Sequence, residues 1–589
     1  MSVDPLGTKP GSGAADPPVE LPLIDQDGFA ADKLPGRNAQ ATDQARTNEG
    51  VARATGILAL GNIISRVLGL MREIVLTNLF GASAAVDAFN VAVVVPKGLF
   101  DLLIGGHVNG AIIPVMSEIV SRQGRAELWR LVSVLVSMII VVLSLLMLGL
   151  QIGAPLVVNM VGSGLDAPTE SLATSLLRLT SPALIFMGLF AILSSTLYTL
   201  HRFTWPAFAT AVFNGTIVII MLLFTPGPEP RPVFTGADLI WTMHRPDGAI
   251  TVAAAGWLLG SVAYMALQLP GLREARIRLT LNWHHPAIRK IALLYLPVMF
   301  SLVLDILVIR IFSYNLATRV MNDGGVSIMN YATTLIQFPQ GLVATAISIA
   351  ILPMLSWQAA TFAESASNRL AFRNTLGLGL RLTITLILPA AVGLFVLATP
   401  IVALIFEHGA FTIRDTSNTV DALRLYLIGL PFAAIDLLLV YAFYARQDTL
   451  TPALVGLLSL AIYMAVALLL APTYGLFSLM IADSFKHIIH ATLSAFLLNR
   501  RIGGMGEQAL LSTTLHTVMA VLVMGAAARA VLVVARDILG NGSLLREVLL
   551  VLVSSGLSAA VFLGLALFVL NITEIRWLAT IVRRRIARF

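Results

Sequence analysis

Six ionisable side chains, Arg66, Arg72, Glu73, Asp87, Lys97 and Asp101, interrupt residues 61–114, a stretch otherwise apolar and long enough to cross a membrane twice. A charge at the centre of a bilayer costs at least roughly 2.5–3.5 kcal/mol on insertion scales, so six in one helical pair imply a polar cavity inside the membrane. Asn62, Arg66, Gly69 and Glu73 follow one another at spacings of four, three and four, which aligns them along one helical stripe. Arg72 stands beside that stripe. Such a lining suits an anionic substrate group, with Glu73 tuning or pairing with the arginines; the plainer alternative is an internal Arg66–Glu73 pair with a snorkelling Arg72. Lys97 and Asp101 are four apart and can pair directly, while Asp87 falls on nearly the same face. They either line the cavity or form a neutral bridge that only positions the helix. Pro96, Gly98, Gly105, Gly106 and Gly110 make this second helix prone to bend and allow close backbone approach.

Further along, Asp305 and Arg310 share an apolar run at a spacing of five, which is poor for a direct pair. Asn330, Tyr331, Thr334 and Gln337 form a neutral polar stripe ahead of Phe338-Pro339, suited to cavity lining or to hydrogen bonding between helices. Asp483, Lys486, His487 and His490 lie on one face of a later helix. An acid, an amine and two imidazoles there suggest ion coupling through a proton-responsive network, since His titrates near neutrality. A structural polar cluster and a metal site are the other readings of that face. No metal is expected.

These residues must be carried by a membrane fold. Of 589 residues, 57% are hydrophobic and only 12% charged, against about 25% charged in soluble domains. Apolar runs of about 20 residues without strict alternation select helices over a barrel. The reading is an all-α polytopic membrane protein with about fourteen spans, near 54–80, 84–119, 128–160, 169–199, 205–225, 249–269, 287–318, 326–357, 372–406, 417–445, 451–471, 475–499, 508–535 and 545–573. Lys and Arg gather in alternate loops, around Arg122 to Arg130, Arg202, Arg273 to Lys290, Arg369, Arg446 and Arg500, which places both termini in the cytoplasm. Residues 1–50 read as a disordered cytoplasmic tail and 576–589 as a basic one. The chain contains no cysteine, which excludes disulfides and thiolate sites. Its excess of positive charge sits at helix ends and does not signal nucleic acid. No loop is large enough for a catalytic domain, and nucleotide-binding glycine motifs are absent. The chain therefore reads as no enzyme and as needing no cofactor, with work drawn from sodium, protons, the membrane potential or the substrate's own gradient.

The sequence resembles the MurJ (MviN) lipid II flippases of the multidrug/oligosaccharidyl-lipid/polysaccharide exporter superfamily. The resemblance covers roughly residues 54–500 and is carried by SRVLGLMRE at 65–73, FGAS at 80–83, DAFNVA at 87–92, MNYATTLIQFPQGLVATAISIAILPMLS at 329–356, FEHGAFT at 406–412 and YARQDTLTP at 444–452. It implies two six-helix lobes around a central cavity, over 51–270 and 285–500, followed by two helices over 506–575 that form a groove for a lipid tail. It implies alternating access of that cavity to the two sides of a bacterial cytoplasmic membrane. The implied cargo is a polyprenyl-pyrophosphate-linked saccharide, with membrane lipids and cell-wall synthesis proteins as partners. Arg66, Arg72 and Asp87 match charged cavity positions of the family, and Glu73 stands where many members have Asp.

The chain departs from the family pattern at two places. Phe100 and Asp101 stand where relatives carry an arginine pair, and Thr334 occupies an arginine position of the eighth span. Lys97 or Arg310 are candidates to replace the missing cations. The eleventh span carries no acid or amide, which weakens transfer of the family's sodium site, although Asp305 remains a candidate ligand. Three readings stay open: a lipid II flippase, an exporter of another polyprenyl-linked oligosaccharide or amphiphile, and a non-transporting scaffold. A membrane enzyme acting on lipid-linked sugars is disfavoured by the lack of a loop to hold a sugar donor.

Overall fold

The computed structural model describes residues 37–586 except 105–106, 236–237, 281, 284, 290, 292–308, 322 and 540–543. Asp305 lies outside the described residues. Gly56–Phe589 forms one compact unit, separate from the residues up to Thr55. The expected disordered tail is described only from residue 37, and there the chain is helical rather than irregular. The composition of 37–50, with Ala, Gln, Arg and Glu, supports a helix locally.

In chain order the first lobe consists of α1 (Arg37–Phe80), α2 (Ala84–Ile104), α3 (His107–Gln123), α4 (Arg125–Val161), α5 (Ala167–Thr180), α6 (Ala183–Thr199), α7 (Thr204–Phe224) and α8 (Thr251–Ala266). The second lobe comprises α9 (Ile309–Val320), α10 (Gly325–Pro339), α11 (Ala346–Ala360), α12 (Ala366–Val396), α13 (Ala398–Phe406), α14 (Ile413–Ala445), α15 (Leu450–Tyr474) and α16 (Phe477–Ile502). Then follow α17 (Leu510–Leu539), α18 (Leu544–Gly564) and a short α19 (Thr573–Ile586). Between α7 and α8 the loop of this helical architecture holds one short hairpin. Strands β1 (Glu229–Thr235) and β2 (Asp238–His244) pair antiparallel, with Val233 opposite Ile240. Val, Ile, Phe, Trp and Thr in these two segments favour a pleated pair over a Pro/Gly-rich coil.

Ten helical segments among the described residues are long and apolar enough to cross a membrane. They correspond to ten of the fourteen expected spans. Of the other four, the seventh lies mostly outside the described residues, and the first, second and twelfth are helices that carry candidate charges. The charges that make a cavity useful also lower a segment's apolarity, so these helices must be judged by where their polar faces point.

The cores explain how the lobes meet. One large cluster of buried apolar residues runs through both lobes, from Leu76, Val91 and Val158 to Val326, Tyr331 and Phe406. Beyond it each lobe has its own core. Met116, Leu128, Leu131 and Leu197 pack together in the first lobe, and Leu355, Phe372, Leu438 and Phe443 in the second. The two lobes are thus joined at one end and separately packed at the other. Between α10 and α11, Gln340–Thr345 forms a π-helical turn directly after Pro339. A proline lacks the N–H that a regular α-turn uses, and π-turns often mark sites where a helix must bend.

Candidate functional site

A cavity of about 690 Å³ lies between the lobes. Its lining comes from α1, α2, α6, α7 and α8 on one side and from α9, α10, α14, α15 and α16 on the other. Arg66, Arg72, Glu73, Lys97, Arg310, Asn330, Thr334 and Asp483 all contribute. Four cations therefore face two carboxylates among the charged lining residues.

The arginines of α1 have different settings. Arg72 donates to Asn214 Oδ1 of α7 at 3.0 Å and sits 2.5 Å from Glu73 Oε1. The Asn214 amide in turn approaches the Ser65 carbonyl at 3.5 Å. This brace fixes the guanidinium at the cavity wall without neutralising the whole site. Arg66 does not pair with Glu73; it reaches across to the second lobe, with Nη1 3.5 Å from the Gln337 carbonyl. Gly341 makes room for it, because a Cβ there would lie 2.6 Å from Arg66 Nη1. The π-helical turn and this glycine together form a seat for a cation.

Lys97 and Arg310 occupy the cavity wall that Asp101 and Thr334 leave short of positive charge. Asp101 does not pair with Lys97 and is not part of the lining; its nearest cation is Arg310, at 3.6 Å. The bend-prone α2 and the convergence of α9 on it bring Arg310 closer than a partner one turn away on the same helix. Asn330 and the Tyr314 hydroxyl exchange hydrogen bonds at 3.0–3.1 Å, while Thr334 returns its hydroxyl to the Asn330 carbonyl. Tyr463, which also lines the cavity, shares a 2.6 Å hydrogen bond with Ser313.

Asp87 was expected in the cavity but lies outside its lining. Its fully buried carboxylate accepts hydrogen bonds from Ser327 N at 2.8 Å, Ser327 Oγ at 2.5 Å and Val326 N at 3.3 Å. These donors open α10, so an acid from one lobe caps a helix N-terminus of the other, where unpaired N–H groups and the helix dipole favour an anion. Around it the lobes meet through glycines. A Cβ on Gly164 would fall 2.2 Å from the Thr318 carbonyl oxygen, one on Gly324 2.4 Å from that of Ala82, and one on Gly409 2.2 Å from that of Asn78. Tyr331 donates to the Gly81 carbonyl at 2.9 Å, and Asn315 to Ser163 at 2.9 Å. This end is a close-packed seal.

The cluster on α16 divides into two. Asp483 lines the cavity and holds Lys486 at 2.6 Å and His487 at 3.6 Å. His490 instead meets Asp436 of α14 at 2.5 Å. The two imidazoles take different carboxylates rather than converging as ligands of one metal. Lys486 also lies 5.5 Å from the Tyr463 ring, which connects the network to the cavity wall. Lys486, His487 and His490 themselves do not line the cavity.

Asn214 and Asp436 are the functional candidates that the spacing argument missed. Each is a lone polar residue in an apolar run, FNGTIVII and AAIDLLLV, and that intramembrane isolation is the signal that could have found them.

Comparison with known proteins bears on the whole arrangement. Residues 76–550 match the family model described as "Lipid II flippase MurJ". The "Lipid II flippase MurJ" of Burkholderia cenocepacia is 31% identical over 398 residues, covering 66% of this chain and 72% of the relative. The "Probable lipid II flippase MurJ" of Haemophilus influenzae is 28% identical over 450 residues, covering 74% and 83%. Among solved structures, a lipid II flippase MurJ in an inward closed conformation superposes with a TM-score of 0.68 at 23% identity, covering 86% of this chain and 98% of that one. An inward-facing MATE family transporter superposes with a TM-score of 0.59 at 14% identity, covering 77% and 99%. The match of family model, sequence relatives and fold over most of its length places this chain in the MurJ family of lipid II flippases.

Proposed function

We propose that this protein carries lipid II across the cytoplasmic membrane of a bacterium, from the inner to the outer leaflet, by alternating access. The observation that carries the reading is the interlobe cavity with Arg66, Arg72, Lys97 and Arg310 in its wall. A pyrophosphate is multiply charged and rich in acceptors, and guanidinium groups bind such oxygens in paired geometry. Lys97 and Arg310 supply the positive charge that Asp101 and Thr334 do not. The saccharide and peptide of the head group require the neutral donors and acceptors that Asn90, Asn330, Thr333 and Thr334 provide along the lining. The polyprenyl tail stays in lipid, along α17 and α18. No bond of the cargo is made or broken, so no catalytic group is needed.

The distribution of Lys and Arg supports an orientation with both termini in the cytoplasm. In that orientation the glycine seal and the Asp87 cap close the outer side, and the separately packed ends of the lobes face the cytoplasm. The structure then corresponds to an outward-sealed state of the cycle. Coupling rests on the second lobe, where Asp483, Lys486 and His487 adjoin the cavity and Asp436 and His490 form a second acid–imidazole pair.

Complementation tests the reading. The chain should restore growth to a bacterium depleted of its own lipid II flippase, and Arg72→Ala should not. Failure of the intact chain, correctly inserted in the membrane, would refute lipid II as its cargo.

A further inference from the structure

A second groove, of about 340 Å³, lies far along the sequence from the cavity charges. Its lining is Trp129, Arg130, Ser133 and their neighbours on α4, together with Arg276, Arg278, Thr280 and Asn282 of the segment that leads from the first lobe to the second. Residues 273–283 carry no regular secondary structure among those described, yet they are held firmly. Arg278 N donates to Ser133 Oγ at 3.0 Å and Thr280 N to Ser137 Oγ at 2.9 Å, which straps the segment along one turn of α4. Upstream, Glu274 bridges Arg202 at 2.9 Å and Arg125 at 3.3 Å. Downstream, Glu127 is shared by His285 at 3.2 Å and Arg130 at 3.4 Å.

Both nearby acids are therefore committed at the margins of the groove. Arg276 and Arg278 are exposed and have no carboxylate within 4.0 Å among the described residues. Beside them Leu279 is 74% exposed and Trp283 36% exposed. Arginines without acidic partners, interleaved with exposed apolar and aromatic side chains, are what a chain lying at the lipid headgroup level presents. A basic pocket between membrane helices on the cytoplasmic side suits an anionic headgroup.

We propose that this groove binds the phosphate of an anionic phospholipid of the cytoplasmic leaflet, with Arg276, Arg278 and Arg130 on the headgroup and Leu279 and Trp283 against the acyl chains. The site rests on the orientation argued above, and it does not depend on which lipid-linked cargo the central cavity carries. A lipid held there staples the interlobe segment to α4, so the composition of the inner leaflet bears on how freely the lobes move.

The test uses the full-length protein in nanodiscs and measures lipid retention by native mass spectrometry, with phosphatidylglycerol competing against phosphatidylcholine. The intact protein should retain phosphatidylglycerol preferentially. Arg276→Gln with Arg278→Gln should weaken that preference by roughly 30-fold, about five-fold for each arginine near a charged membrane surface. Arg276→Lys with Arg278→Lys, which preserves the charge, should keep most of it and serves as the folding control. Inorganic phosphate at millimolar concentration should not displace the lipid. Equal retention of the two lipids by the intact protein, or unchanged retention in the glutamine protein, would overturn the proposal. Displacement by inorganic phosphate would overturn a lipid as the occupant. None of these readouts involves transport, so they stand apart from any failure of lipid II movement.

Discussion

Replacing Asp87 by Asn should loosen the sealed end of the protein while leaving each lobe folded. The carboxylate accepts from two backbone N–H groups and a hydroxyl at the start of α10. An amide of the same shape keeps one acceptor oxygen and turns a donor toward groups that are themselves donors. At least one charge-assisted hydrogen bond is lost, worth about 1.5–3 kcal/mol. At about 1.4 kcal/mol per factor of ten, the balance between sealed and open states moves roughly ten- to hundredfold toward open. The chain contains no cysteine, so labels can be placed without background. Spin labels at Asp166→Cys and Arg414→Cys, both exposed and flanking the seal on opposite lobes, report the gap by pulsed electron resonance. Asp87→Asn should shift the distances from a single short population to a mixture with a longer one. An unchanged distribution in a folded, membrane-inserted protein would refute the reasoning, because the interlobe cap would then carry no energy.

Four further outcomes follow from the same geometry. Gly164→Ala places a methyl 2.2 Å from the Thr318 carbonyl oxygen and should open the same gap without removing any hydrogen bond, read by the same labels. Asn214→Ala frees the Arg72 guanidinium from its brace and should lower transport about tenfold, the loss of one charged hydrogen bond, measured with labelled lipid II in vesicles. Asp436→Asn removes the partner of His490 and should abolish any response of transport to a proton gradient while sparing the response to membrane potential, compared under the two gradients imposed separately. Hydrogen bonding and charge from Arg202 hold the Glu274 carboxyl below the ordinary glutamate value of 4.5. The clamp on the interlobe segment is therefore complete above that value and is lost as pH falls through the lowered one, so cleavage of residues 271–285 by an acid-stable protease should rise only at strongly acidic pH.

Much of the site was legible in the sequence because intramembrane charge is costly and therefore informative. Arg66, Arg72, Glu73, Lys97 and Arg310 stand out against apolar runs, and the structure gathers all five at one cavity. Pairing was less legible. Helical spacing matched Arg66 with Glu73 and Lys97 with Asp101, yet Glu73 goes to Arg72 and Asp101 to Arg310. Spacing ranks partners a turn apart, but Glu73 is taken by its immediate neighbour Arg72 and Asp101 by a cation on another helix. Asp87 shows the same limit. Its place in the sequence could not reveal that the N-terminus of α10, some 240 residues later, supplies its donors. The hairpin after α7 is not among the expected elements, because Pro226, Gly227, Pro228, Pro230 and Pro232 obscure the strand pattern of that segment. Its alternating apolar residues were too few to outweigh them.

The central claim is that the cationic cavity moves a lipid-linked pyrophosphate between leaflets, and vesicles containing only this protein test it most directly. Labelled lipid II placed in one leaflet should become accessible in the other at a rate that depends on the protein. Arg66→Ala with Arg72→Ala should reduce that rate to the level of protein-free vesicles. Equal rates for the intact and doubly substituted proteins, both folded and inserted, would contradict the account.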